Sequence, residues 1–315
     1  LLCLNAWLIV LAMPGPSSPA EAVLRGEESY RVLLVGDSWS EFFWLNGSLG
    51  DVFTSHGHSD ILEKGDATTI AGSTAAEWVQ TSQLQLIADE LAANPTIDIV
   101  QLTMGGNDFL AGMADGGWYV GISAEDEEAL VQRILGDIQV VVDFILNLNP
   151  NYTILLSFYD YPNFEDSLSG LLSFSCLGFY NDLNQPTTLE LNQAFRAFNQ
   201  RLGELADQSS RIALVDHTGL MQFAFGFPGD GILPETIIPP GNLNLPSPIE
   251  AMFLGADCIH LSQNGYLLVA QNLWENFYKD QFCVSQITLA EQLGTWPAIQ
   301  NTFGLTDLVN RQCPL

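Results

Sequence analysis

Five short strand-like runs alternate with helix-patterned stretches along this chain, and that alternation constrains the fold more than any other feature. The runs are 32–35, 65–70, 97–104, 153–158 and 212–215. Val32-Leu-Leu-Val35 is too short for a helix and stops at Gly36, as a buried strand does. Between the runs lie helical signals. Thr74 with Glu77 forms a capping box ahead of Trp78, Leu84, Ile87 and Leu91. Ser123 caps a long helix through Leu148, helix returns from Thr188 to about Asp207, and Ser262 opens a last one carrying Tyr266, Val269 and Leu273. Such alternation argues an α/β fold, a parallel sheet covered on both faces. In that architecture every segment following a strand emerges at one carboxyl edge, where ligands bind. Ser38, Gly72, Asn107, the segment 160–187 and the approach to His260 all follow strands.

Two stretches, 160–187 and 217–256, read as long irregular loops, and long loops in a compact domain are usually functional. With 315 residues, 47% of them hydrophobic, the chain can bury a large core. No linker divides 23–315, which reads as a single domain. The apolar run Leu1 to Ala12, then prolines and small residues ending at Ala22, resembles the apolar region and cleavage site of a secretory signal peptide. It is short of a spanning helix, so the expectation is export, periplasmic or extracellular, without a stable membrane anchor. Without that leader four cysteines remain, Cys176, Cys258, Cys283 and Cys313. An even count in an exported chain suggests two disulfides, with three pairings open, and no pair has the close spacing of a metal site.

Acids outnumber Lys plus Arg by 37 to 9, and the acids are spread along the chain. Nucleic acid and anionic membrane surfaces are therefore poor partners, and none of the former is expected.

The chemistry centres on Ser38, at or just before a helix N-terminus. Taken alone it reads as a helix cap. A serine becomes a nucleophile when a base takes its proton, and histidine suits that task. Of the four histidines, His56 and His58 sit at a helix end, and His217 follows the fifth strand. His260 is favoured because Asp257, three residues earlier, can reach its second ring nitrogen. Oxyanion donors are available in the Ser38 N–H, the Gly72 N–H and the Asn107 amide.

Gly36-Asp37-Ser38, Gly72, Gly105-Gly106-Asn107-Asp108 and Asp257-Cys-Ile-His260 resemble the four blocks of the SGNH, or GDSL-type, hydrolases, in that family's order. The resemblance implies a flavodoxin-like, three-layer α/β/α sandwich with a five-stranded parallel sheet. It also implies Ser38 as nucleophile, His260 as base, Asp257 as its orienter, Gly72 and Asn107 as further oxyanion donors, and no cofactor or metal. Trp39 stands where the family's name has leucine. The Gly-x-Ser-x-Gly elbow of α/β-hydrolases is absent from the sequence. The expected activity is hydrolysis of small-molecule, lipid or glycan esters. Trp39, Phe109, Leu171, Leu172 and Phe174 are the expected apolar substrate contacts. Carbohydrate deacetylase and lysophospholipase activities belong to the same family, and a catalytically silent binding module is the alternative from another class.

Overall fold

The computed structural model describes residues 28–168 and 174–283. Its centre is β1 (Ser29–Gly36), whose last five residues are buried. Two short helices follow, α1 (Ser38–Leu45) and α2 (Ser48–Ser55). One continuous apolar pattern spans both, but Gly47 at φ 62° breaks the helix between them. β2 (Ile61–Lys64) precedes the stretch expected as the second strand. The expected 65–70 segment is instead a turn whose backbone meets β1 at its end, in the isolated Gly36 to Thr69 bridge. Its threonines explain the difference: the Thr68 hydroxyl donates to the Leu34 carbonyl and the Thr69 hydroxyl to the Gly65 carbonyl, which folds the backbone out of the sheet.

Next come α3 (Ala75–Trp78), α4 (Thr81–Ala93) and β3 (Ile99–Thr103). The Thr74–Glu77 capping box is formed as its spacing requires. α5 (Gly106–Leu110), α6 (Ala124–Leu148) and β4 (Thr153–Ser157) follow. The segment 160–187 is less irregular than its sequence suggests, holding α7 (Phe164–Ser167) and α8 (Phe174–Asp182). α9 (Thr188–Ala206), β5 (Ile212–Val215), α10 (Leu220–Phe225) and α11 (Gln263–Leu273) complete the order, and a π turn over Trp274–Tyr278 extends the last helix.

All strands are parallel, in the order β2-β1-β3-β4-β5, and helices flank the sheet. α2 packs with α11, while α6 packs with α3, α4 and α9. The order turns around at β1, so the crevice between the carboxyl ends of β1 and β3 is a topological switch point. Two contacts close that edge too tightly for side chains. A Cβ on Gly36 would lie 1.8 Å from the Thr103 carbonyl oxygen, and one on Gly106 2.2 Å from the Tyr159 ring.

A disulfide joins Cys176 of α8 to Cys258, resolving one of the pairings the sequence leaves open. Cys313 and the apolar leader 1–22 lie outside the described residues. Among those residues no helix is long and apolar enough to cross a membrane.

Candidate active site

Ser38 is the first residue of α1, and its place there is set by the residue before it. Asp37 is the N-cap: one carboxyl oxygen accepts from the Trp39 N–H at 3.0 Å and the other from the Tyr159 hydroxyl at 2.6 Å. This leaves the Ser38 N–H, on the helix's positive end, without a partner among the described residues. Burial, opposed by those two bonds, pushes the Asp37 carboxyl up to about 7.

The Ser38 hydroxyl meets His260 Nε2 at 2.8 Å, although 222 residues separate them. His260 Nδ1 lies 3.1 Å from Asp257 Oδ2. The carboxylate holds the ring proton on Nδ1, so Nε2 is the acceptor facing the serine. Asp257 is itself anchored, since its other oxygen accepts from the Ile259 and His260 N–H groups, both at 2.7 Å. Burial pushes Asp257 up, but the imidazole bond, the imidazole charge and these backbone donors outweigh it and leave the carboxyl below its ordinary value. The loop carrying the pair is fastened on several sides: Phe253 N–H donates to the His260 carbonyl, Ser167 Oγ to the Asp257 carbonyl, and the disulfide grips Cys258 between the two residues.

Gly72 and Asn107, the other two expected oxyanion donors, belong to loops joined through Ser73. Gly72 is exposed at φ +77°, with nothing within 4 Å of where a Cβ would stand. Its N–H has no partner among the described residues. Asn107 spends one amide hydrogen on the Ser73 carbonyl at 2.9 Å, which fixes the side chain and leaves the second hydrogen available. Asp108, beside it, accepts from the Ala75 and Ala76 N–H groups and so clamps α3 to α5; burial pushes its carboxyl up. The sequence reading did not single out Tyr159 or Asp108 as positioning groups. Tyr159 carries no motif, and only its place just past β4 at the shared carboxyl edge hinted at it.

A second serine–histidine pair shows what a purely structural one looks like. His217 Nε2 lies 3.0 Å from Ser157 Oγ, but its Nδ1 accepts from the Asn272 amide at 2.9 Å. The ring proton therefore sits on Nε2 and is donated to the serine, the wrong direction for a base. Burial also drives this imidazole down to about 3. His56 and His58 both pack on the Trp274 ring, and His58 is buried rather than at the surface.

Two expected substrate contacts are corrected. Trp39 is 3% exposed, stacked on Tyr159 with ring centres 4.6 Å apart and set edge-on to Tyr266. One residue after Ser38, it is turned about 100° around the helix, into the core. Phe109 is 1% exposed, packed among Trp118, Phe195 and Phe198. The side chains of Leu171, Leu172 and Phe174 lie outside the described residues. Near the serine the apolar surface is Phe42, whose ring is 5.0 Å from that of His260, and Phe253 beside it.

The sequence model of the family described as GDSL-like lipase/acylhydrolase matches residues 32–273, which span every element of the crevice. The chain belongs to that family. Solved structures similar to this hydrolase include a member of the lipolytic G-D-S-L family from Veillonella parvula, at 15% identity and TM-score 0.46, covering 79% of this chain and 99% of that one. A carbohydrate esterase of family 3 from Talaromyces cellulolyticus is similar at 12% identity and TM-score 0.42, covering 79% and 97%. A lipase from a goat rumen metagenome matches at 12% and 0.44, covering 79% and 98%. No curated protein matches this chain. Among the described residues no cluster of His, Cys, Asp and Glu is arranged to hold a metal ion.

Proposed function

We propose that this GDSL hydrolase is an exported serine esterase that cleaves carboxylic esters through an acyl-enzyme. The observation carrying the reading is the continuous chain from Ser38 Oγ to His260 Nε2 at 2.8 Å and from His260 Nδ1 to Asp257 at 3.1 Å. His260 takes the hydroxyl proton as Oγ bonds to the ester carbonyl carbon. The negative charge gathers on the carbonyl oxygen, toward the Ser38 N–H, the Gly72 N–H and the free Asn107 amide hydrogen. Collapse breaks the bond to the alcohol oxygen, and His260 returns its proton there. Water, deprotonated by the same imidazole, then attacks the acyl-serine and releases the acid. Asp257 stays ionised throughout and stabilises the imidazolium, which its lowered carboxyl suits. The Cys176–Cys258 disulfide supports an oxidising, extracytoplasmic setting.

The test is labelling by a fluorophosphonate, with peptide mapping, on the native chain and on His260→Ala. Modification of Ser38 that the substitution abolishes is the expected result. A folded native chain that takes no label returns the protein to the binding-module reading.

A further inference from the structure

In the proposed reaction the oxyanion lies between the Ser38 N–H and the Asn107 amide, which stand on separate helices, α1 and α5. Its fit therefore depends on what holds the two helix starts together. Their backbones are tied at one point, where the Asp37 N–H donates to the Thr103 carbonyl at the end of β3, at 3.0 Å. A side chain supplies a second tie. It belongs to Tyr159, two residues past β4.

Tyr159 reaches three residues next to these donors. Its hydroxyl donates at 2.6 Å to Asp37, immediately before Ser38. Its ring stacks on Trp39, immediately after Ser38, with the planes 9° apart and the centres 4.6 Å apart. The hydroxyl end of the same ring lies against Gly106, immediately before Asn107, so closely that a Cβ there would come within 2.2 Å of it. The other stacking partner is Phe158, with centres 5.0 Å apart, so the ring cannot swing away from either helix start.

A phenylalanine would fill this space as well, and what sets the tyrosine apart is where its hydroxyl goes. The phenol is 2% exposed, and burial together with the Asp37 carboxyl drives its ionisation well above the ordinary value, so it remains a donor. Its acceptor is one oxygen of a fully buried carboxyl whose other oxygen takes the Trp39 N–H. With both oxygens engaged, the Asp37 side chain has one orientation, and the Ser38 N–H is left free of it. A capping carboxyl released from the phenol would compete for the N–H groups at the helix start and set a negative charge where an oxyanion has to form.

We propose that Tyr159 is a positioning residue for ester cleavage: its hydroxyl, acting through Asp37, and its ring, acting through Gly106, hold the Ser38 N–H and the Asn107 amide at the separation the oxyanion needs. The inference rests on the proposed serine esterase chemistry and adds to it a residue outside the four motif blocks.

The experiment is Tyr159→Phe, which keeps the ring and its stacking and removes the hydroxyl, assayed on p-nitrophenyl acetate. kcat falls about tenfold to a hundredfold with KM nearly unchanged, the scale of a small misplacement of groups that act in the transition state. A merely structural tyrosine is told apart by a second substitution. In an Asn107→Ala background the loss caused by Tyr159→Phe shrinks to about threefold or less, because both act on the same oxyanion, whereas independent damage multiplies. If Tyr159→Phe does not fold, Asp37→Asn is compared with Asp37→Asn plus Tyr159→Phe, where no buried carboxylate loses its partner, and the same fall in kcat is expected. An unchanged kcat in the folded variant, or losses that multiply fully with Asn107→Ala, overturns the role of Tyr159 while the native chain still turns over the ester. A native chain that neither cleaves the ester nor takes fluorophosphonate at Ser38 overturns the esterase reading and the positioning role with it.

Discussion

Asp37→Asn should make this protein more stable, by an amount that depends on pH in a calculable way. Asp37 is fully buried, and its carboxyl is pushed from its ordinary 3.8 up to about 7. The unfolded chain ionises near 3.9. A carboxyl whose folded value is raised contributes fully to stability below its unfolded value and loses that contribution as pH rises through the folded value. Linkage over that interval gives a loss of about 4 kcal/mol by pH 8, about 3 at pH 6 and less than about 1 at pH 4. The asparagine carries no titrating charge. It caps a helix as well as aspartate does, and its amide can donate to Tyr159, since a phenol accepts as readily as it donates. Asp160 has the same elevation, to about 7, but is common to both proteins and cancels in their difference. Urea unfolding of the two proteins from pH 4 to 8, with stability extrapolated to water, reads the difference directly. A gap that does not widen with pH, or a variant that is weaker at pH 8, refutes a buried, charge-penalised Asp37. The native chain keeps an acid that weakens it at neutral pH immediately before the candidate nucleophile, where stability is commonly traded for function.

Three further outcomes follow from the geometry. Asn107→Ala should lower kcat about 10² to 10³-fold, the usual loss for one oxyanion donor, with little change in KM; an unaltered rate removes the amide from the site. His217→Gln should flatten acid unfolding: the imidazole is held near 3 against about 6.5 when unfolded, so the native chain loses stability as pH falls below about 6.5, approaching about 4 to 5 kcal/mol near pH 3, and the variant's titration should lack that slope. Replacing both Cys176 and Cys258 by serine opens a crosslink spanning 82 residues, with an expected loss of about 4 kcal/mol and a fall in ester turnover from a looser Asp257–His260 loop; undiminished stability and turnover would show that the remaining bonds suffice.

The two serine–histidine pairs show what proximity of a serine and a histidine leaves undecided. Ser38 with His260 and Ser157 with His217 have nearly the same contact, 2.8 and 3.0 Å. What separates them is the group on the far side of each ring, a carboxylate for one and an amide donor for the other. Asp257 could be read beside His260 because the two are close in sequence. Asn272, which fixes the tautomer of His217, is 55 residues away and gave no local signal.

Local rules determined a good deal of this protein. The periodicity of apolar residues located the strands β1, β3, β4 and β5 and the long helices, and the Thr74, Ser123 and Ser262 caps stand where their spacing requires, because each depends only on neighbours within a turn or two. Parallel alternation led to the expectation that Ser38, Gly72, Asn107 and the approach to His260 share one carboxyl edge, and the five strands are parallel as that expectation requires. Burial was decided elsewhere. Trp39 and Phe109 look like substrate contacts when read beside the motif residues, yet each lies in the core because rings from distant segments, Tyr159 and Tyr266 for one and Phe195 and Phe198 for the other, close over it. The second strand was misplaced for a related reason, since the bonds of Thr68 and Thr69 compete with sheet pairing only once Leu34 and Gly36 are alongside. The sequence by itself determined four of the five strands, the capped helices and the pairing of Asp257 with His260, since these follow from period, capping and close spacing along the chain. Which side chains face solvent around Ser38, and which ring nitrogen carries its proton, tertiary structure alone decided, because both depend on atoms brought together from scores of residues apart.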